Sequence, residues 1–79
     1  AFPCLGLALE AARTGGTATA VLNGANEAAV GLFLADKISF GAIAQRVERA
    51  MGQVPVVQDP NLEEILAADK AAREAALGG

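Results

Sequence analysis

The sequence predicts an all-α fold, a small four-helix bundle with short connections that forms one domain over residues 1–79. Apolar residues recur at helical spacing in four segments, and each segment is bounded by residue types typical of helix starts or stops. The connections between these segments are two to eight residues long, which favours neighbouring helices that pack against each other.

The first helix is predicted to begin at Pro3 and to end near Thr14. Proline is favoured in a first turn, because the N–H that it lacks would have no partner there. Gly15-Gly16 is a typical helix stop. The apolar residues that share one face of this helix are Leu5, Leu9 and Ala12.

The second helix is predicted to begin at Asn23, which is a favourable N-cap residue, and to end near Asp36. Glu27 then lies in the first turn, near the positive end of the helix dipole. The preceding segment, residues 17–21, is rich in β-branched residues and is expected to be extended. The residues expected to face inward are Ala25, Ala29, Leu32 and Phe33.

The third helix is predicted to follow Ser39 as its N-cap and to end at Gly52. Residues 53–60 contain two prolines and are expected to form an extended connection. The apolar positions of this helix recur at i, i+3, i+7 and i+11, and they are Phe40, Ile43, Val47 and Met51 (or Ala50).

The fourth helix is predicted to open with a capping box formed by Asn61 and Glu64. Asp59-Pro60 is an alternative start two residues earlier, and Gly78-Gly79 closes the helix. Its predicted apolar face consists of Leu62, Ile65, Leu66, Ala72 and Leu77.

The composition limits the size of the core and the classes of partner that the chain can bind. Of the 79 residues, 53% are hydrophobic, but 19 residues are alanine and only 22 are Val, Ile, Leu, Met or Phe. Such a core is thin, so we expect a marginally stable domain that gains from docking against something larger. The net charge is −3 and the six basic residues are scattered, which argues against nucleic-acid binding. No apolar run is long enough to span a membrane.

The residue types disfavour catalysis by this chain. There is no histidine, so the commonest general base and metal ligand is missing. The single Cys4 fits a reducing compartment and is interpreted as a small buried hydrophobic residue. Glu63 and Glu64 favour the start of a helix, and Gly15-Gly16-Thr17 lacks the spacing of a phosphate-binding loop. We therefore assign no catalytic, cofactor-binding or metal-binding residue.

One set of polar residues stands out among the alanines. Polar groups among core-forming residues require hydrogen-bond partners, because an unpaired buried group costs about 1–3 kcal/mol. Helix capping and helix–helix hydrogen bonding are one explanation, and a contact with another domain is the other. The residues of this set are Asn23, Asn26, Glu27, Asp69 and Arg73.

Three stretches of the chain match known sequence motifs. Residues 2–11 are similar to the segment (Y/F)-P-C-L-x-L-A-x-E-A. Residues 22–35 are similar to the motif L-N-A-A-N-E, followed by A-N-E-x-x-V-x-x-F-L-A. With the closing residues 62–73, which also fit, the chain resembles the 1-deoxy-D-xylulose 5-phosphate reductoisomerase family. Gly24 replaces an alanine of the motif, and we expect it to loosen the first turn of the second helix.

The resemblance implies that this chain is the C-terminal helical domain of a larger enzyme, resting on the catalytic domain of the same polypeptide. The family uses NADPH and a divalent cation, Mg or Mn, to convert 1-deoxy-D-xylulose 5-phosphate to 2-C-methyl-D-erythritol 4-phosphate in isoprenoid biosynthesis. The full-length enzyme is implied to be a homodimer in the bacterial cytoplasm, with a plastid as the alternative location. This chain alone is expected to be inactive and to support the catalytic domain.

Two other interpretations are weighed against this one. A free-standing helical protein-interaction module predicts a stable oligomer and a complete gene of about this length. A carrier protein would need Asp-Ser-Leu around the modified serine, whereas this chain has Ile38-Ser39-Phe40 after Lys37. A phosphopantetheinyl transferase that left the mass of the chain unchanged would exclude the carrier.

Overall fold

The computed structural model describes the backbone of residues 3–78 and the side chains of residues 5–78. Within that range the chain forms helices and no strands: α1 (Pro3–Thr14), α2 (Ala18–Leu34), α3 (Phe40–Gln53) and α4 (Leu62–Leu77). The predicted all-α, four-helix fold is confirmed. The prediction that Cys4 is buried concerns a side chain outside the described residues, as does the closing role of Gly79.

Helix α2 is the centre of the bundle. It packs against α4 and against α3. Helix α1 packs on α2 and also touches α3. Among the described residues α1 and α4 do not meet, so they lie on different sides of α2. The molecule measures 36 × 25 × 16 Å along its principal axes. Helices α1 and α4 therefore flank α2.

The core consists mainly of alanine and valine. Alanine side chains let helix axes approach closely, but each contributes little transfer free energy, because burial is worth about 25 cal/mol per Å². The largest side chains that are wholly buried are Val21, Val47 and Thr17. The small buried residues of α2 and α4 are Ala18, Gly24, Ala25, Ala29, Ala68, Ala72 and Ala76.

The predicted start of the second helix is wrong. Helix α2 begins at Ala18, so residues 17–21 are not extended and Asn23 lies inside the helix instead of capping it. The physical reason is a tertiary contact. The backbone N–H of Thr17 donates to the carbonyl of Val57 at 3.0 Å, and the N–H of Val57 donates to Thr17 Oγ1 at 2.9 Å. This pairing fixes the chain just before α2 and outweighs the β preference of the segment.

The predicted role of Gly24 is also wrong. Gly24 lies inside α2, buried where that helix meets α4, and has no part in a first turn. A Cβ at this position would lie 2.6 Å from Asp69 Oδ1 and 2.9 Å from the Asp69 carbonyl oxygen. The close approach of the two helices therefore favours glycine at this position.

The predicted inward faces of the first and fourth helices are largely wrong. In α1, Leu7 and Ala11 are buried, whereas Leu5 and Leu9 are 61% and 53% exposed and Ala12 is exposed. The buried face of α4 is its alanine face, which includes the predicted Ala72. Leu62, Leu66 and Leu77 are more than half exposed, and Ile65 is 37% exposed. Close packing with α2 selects the smaller residues.

The predicted face of the third helix is mostly confirmed, because Ile43, Val47 and Ala50 are buried. Met51 is half-buried, and Phe40 is exposed at the start of α3, where its ring packs edge-on against Phe33. In α2, Ala25 and Ala29 are buried as predicted, while Leu32 and Phe33 are half-buried.

The local capping predictions hold. Ser39 Oγ accepts from the N–H of Ala42, and Asn61 and Glu64 form both hydrogen bonds of a capping box. Helix α4 therefore starts at Leu62, so the alternative start at Asp59-Pro60 is wrong. Gly15 and Gly16 have positive φ and end α1 as predicted.

The end of α2 lies near the predicted residue but has a different cause. Its last residue is Leu34, and Asp36 follows in the left-handed region with φ 58°. The N–H of Asp36 donates to Phe33 O and the N–H of Lys37 donates to Leu32 O. These two bonds form a Schellman motif, which terminates the helix without glycine.

Candidate functional site

The five predicted contact residues form one polar strip across α2 and α4. Asn23, Asn26 and Glu27 are all exposed on α2, at i, i+3 and i+4, so they are neighbours on the helix surface. Glu27 is joined to Arg73, and Arg73 to Asp69, both on α4. We call these five residues the polar strip.

Arg73 joins the two helices. Its Nη2 lies 3.2 Å from Glu27 Oε2 on α2, and its Nε donates to Asp69 Oδ2 at 3.0 Å, one turn earlier on α4. The hydrogen bond from Arg73 to Asp69, with the charge of Glu27 nearby, raises the pKa of the guanidinium. Because this pKa is raised, the interactions of Arg73 stabilise the fold at every pH below the ordinary pKa of arginine. That stabilisation is lost only as pH rises through the raised pKa. The guanidinium stays charged at physiological pH.

The charged part of the strip is not the main source of bundle stability. The side chains of Arg73 and Glu27 are 39% and 66% exposed. Exposed ion pairs are worth about 0–1 kcal/mol, because water and salt screen them. The close approach at Gly24 places the Asp69 backbone against α2, directly below this network. The ion pairs therefore form a weak surface link between α4 and α2.

The side-chain amides of Asn23 and Asn26 have no hydrogen-bond partner within the part of the chain that the structure describes. They border a small groove of about 150 Å³ whose other walls are Ala8 of α1, Leu22 and Val47. Asparagine inside a helix is less favourable than alanine by roughly 0.5 kcal/mol. Nothing in the described bundle offsets that cost, so these amides are available to a group outside it.

The described residues do not fit a divalent metal ion. Between residues 5 and 78 no three His, Cys, Asp or Glu side chains converge, and Mg²⁺ binding needs converging oxygen ligands. A groove of about 300 Å³ between α1, α2 and α3 is lined by Leu7, Val21 and Met51, with Glu10, Glu48 and Thr14 among its polar residues. The Thr14 hydroxyl donates to the backbone carbonyl of Glu10 at 2.9 Å and not to a carboxylate.

Two structural features were missed by the sequence reasoning. One is the pairing of Thr17 with Val57. A second hydrogen bond lies beside it, from Gln58 Nε2 to Thr14 O at 3.0 Å. The only sequence indication is a threonine directly after a glycine pair. This pairing ties the α1–α2 turn to the connection before α4.

The other missed feature lies at the end of α4. Arg46 Nη1 donates to Ala76 O at 2.7 Å, and Arg49 Nη2 donates to Ala75 O at 2.9 Å and also to Gly78 O. Helix-terminal carbonyls lack intrahelical partners, and cations are favourable there. Two arginines three residues apart on α3 were the available indication.

None of the helices in the described part of the chain combines the length and the apolarity that crossing a membrane requires.

Comparison with known proteins gives a consistent result. The model of the family described as the DXP reductoisomerase C-terminal domain matches residues 1–75. The chain is 55% identical over 74 residues to the 1-deoxy-D-xylulose 5-phosphate reductoisomerase of Acetivibrio thermocellus, covering 94% of this chain and 19% of that protein. It is 52% identical over 73 residues to that of Pseudomonas putida strain W619, covering 92% and 18%.

A cyanobacterial relative agrees with these two. The chain is 53% identical over 72 residues to the 1-deoxy-D-xylulose 5-phosphate reductoisomerase of a Synechococcus species, covering 91% of this chain and 18% of that protein. The chain thus spans about a fifth of the length of the curated relatives it matches. The family match covers α1, α2 and α3 and reaches residue 75 of α4, so it includes every residue of the polar strip. This chain belongs to the DXP reductoisomerase C-terminal domain family.

Proposed function

We propose that residues 1–79 are the C-terminal helical domain of an enzyme that converts 1-deoxy-D-xylulose 5-phosphate to 2-C-methyl-D-erythritol 4-phosphate in the non-mevalonate route to isoprenoids. The observation that carries this proposal is the family match over residues 1–75, together with identities of 52–55% to named reductoisomerases. The relatives are about five times longer than this chain, which leaves room for the cofactor-binding and catalytic domains.

In this proposal the chain itself does no chemistry. NADPH and the Mg or Mn ion are bound by other parts of the polypeptide, because the described residues provide no converging ligand set. The cofactor supplies a hydride and the cation polarises oxygen atoms of the substrate. The full-length enzyme is a homodimer and acts in the bacterial cytoplasm.

The role of the bundle is to support the catalytic domain through the polar strip. Active-site groups must be held within about 0.5 Å of their productive positions, and rigid surrounding elements provide this. Arg73 fixes α4 against α2 through Asp69 and Glu27. The amides of Asn23 and Asn26 remain exposed beside it. We propose that all five residues contact the catalytic domain.

The test uses the full-length enzyme with Asn26→Ala or Arg73→Ala. We expect either change to lower kcat/KM, or the temperature at which activity is lost, because it removes a contact between the bundle and the catalytic domain. The matched controls are Gln45→Ala, an exposed amide on α3, and Lys70→Ala, an exposed cation on α4. If both test variants behaved like the controls in activity and in stability, the proposed role of the strip would be wrong.

A further inference from the structure

The exposed leucines of α4 form a line along one side of the helix. Leu62, Leu66 and Leu77 are 69%, 60% and 52% exposed. Positions 62, 66, 69, 73 and 77 follow the spacing i, i+4, i+7, i+11 and i+15, which keeps them on one side of a helix. Asp69 and Arg73 therefore lie within the same line. We call Leu62, Leu66 and Leu77 the leucine line.

The bundle itself leaves this line uncovered. Helix α4 packs on α2 through Ala68, Ala72 and Ala76, and its last carbonyls bind arginines of α3. Helix α1 does not contact α4 among the described residues, so it does not cover the leucine line either. Leucine buries far more apolar area than alanine, so a helix that buries its alanines and exposes its leucines has a second apolar side.

The leucine line contains one paired charge. Apolar side chains lie on both sides of a paired charge, since Leu66 precedes Asp69 and Leu77 follows Arg73 on the same side of α4. Arg73 pairs with both Glu27 and Asp69, so covering this side of α4 does not leave the guanidinium without a partner. The network holds two carboxylates and one guanidinium, so a covering surface has to supply a hydrogen-bond donor or a cation for the remaining negative charge.

We infer that the leucine line is a docking surface whose occupant is the preceding part of the same polypeptide. This inference rests on the proposed function, which makes the chain the last domain of a longer enzyme. The relatives it matches extend over about five times its length, so a body much larger than the bundle is joined to it. A domain attached to its own chain has a high effective concentration of that partner, which favours it over a second copy.

The test measures whether Leu66 is covered in the full-length polypeptide. The variants are Leu66→Cys and, as the matched control, Ala67→Cys, an exposed position of α4 that lies about 100° away around the helix. Each native protein is treated with a maleimide, and the rate of labelling is read on the peptide that contains the new cysteine. We expect Leu66→Cys to react at least tenfold more slowly than Ala67→Cys, and the two to react equally in denaturant. Leu62→Cys replaces Leu66→Cys if that variant does not fold.

Two results would overturn the inference. Equal native rates at the two positions would show that the leucine line is open to solvent. Protection that disappears on dilution would assign the covering surface to a second copy of the protein instead. NADPH oxidation by the wild-type protein with 1-deoxy-D-xylulose 5-phosphate is measured separately. Absence of that activity would refute the proposed function, while the labelling rates would still report whether the line is covered.

Discussion

The contact between α2 and α4 at Gly24 gives the sharpest prediction about the bundle. Helix interiors normally favour alanine over glycine by about 1 kcal/mol, because glycine loses more backbone entropy on folding. At Gly24 a Cβ would lie 2.9 Å from the carbonyl oxygen of Asp69, closer than real Cβ atoms approach, so backbone must move by several tenths of an ångström. Overpacking of this kind costs about 1–3 kcal/mol.

The net effect of Gly24→Ala is therefore a loss of about 1 kcal/mol, from a packing cost near 2 and a propensity gain near 1. Gly31→Ala is the matched control on the same helix, because Gly31 is exposed and a Cβ there would meet nothing within 4 Å. It should stabilise the chain by about 0.5–1 kcal/mol. The gap between the two variants, near 2 kcal/mol, corresponds to roughly 10 °C in Tm for a domain of this size.

The assay is urea and thermal unfolding of the 79-residue chain, followed by circular dichroism at 222 nm. Gly24→Ala should unfold at a lower Tm than the wild type, and Gly31→Ala at a higher one. If the two alanine variants were equally stabilised, α2 and α4 would not approach as closely as described. Close helix packing would then not explain why this chain has Gly24 where the family motif has alanine.

The remaining predictions concern single contacts, each read by chemical denaturation of the 79-residue chain. Thr17→Val should cost about 1–3 kcal/mol, because it leaves the part-buried N–H of Val57 without an acceptor. Thr17→Ser keeps the hydroxyl acceptor and should avoid most of this loss. Arg49→Ala should cost about 1 kcal/mol, since it exposes carbonyls at the end of α4; no loss would mean that water replaces the guanidinium. Glu27→Gln should cost at most about 0.5 kcal/mol, because the pair is exposed, and a larger loss would contradict the view that it is a weak surface link. Asp36→Gly should stabilise by about 0.5 kcal/mol by relieving the left-handed backbone, and destabilisation would show that the aspartate side chain matters there.

Local signals in the sequence were sufficient for much of the fold. The caps at Ser39 and Asn61 and the glycine stop after α1 depend on residues within one turn, and all three occur as predicted. The start of α2 depends on Val57, 40 residues away, which no local pattern reveals. Asn23 has the residue type of a cap, but the tertiary pairing places the cap at Thr17, six residues earlier.

The inward faces were harder to predict because alanine is compatible with either side of a helix. The larger apolar residues of α1 and α4 share one side, and hydrophobicity alone assigns that side to the core. The bundle instead buries Leu7 and Ala11 of α1 and the alanine side of α4, with Ala72 and Ala76 wholly buried, because alanine allows α4 to lie close to α2. The proposed docking of the leucine line gives a reason for the exposed leucines, namely a further packing partner that a single domain's sequence does not specify.

The polar strip shows the same division between local and distant information. Spacing along each helix places Asn23 beside Glu27 and Asp69 beside Arg73, but only the packing of α4 on α2 joins Glu27 to Arg73. The proximity of these residues was unpredictable without the fold. Their contact with a catalytic domain remains a prediction.

The central claim is that this bundle supports a reductoisomerase to which it belongs. The most direct measurement is the rate of NADPH oxidation by the full-length polypeptide with 1-deoxy-D-xylulose 5-phosphate and Mg²⁺, with residues 1–79 present or deleted. The account predicts activity in the intact protein and its loss on deletion, because the catalytic domain loses its support. A deleted protein that remained folded and oxidised NADPH at the intact rate would contradict it.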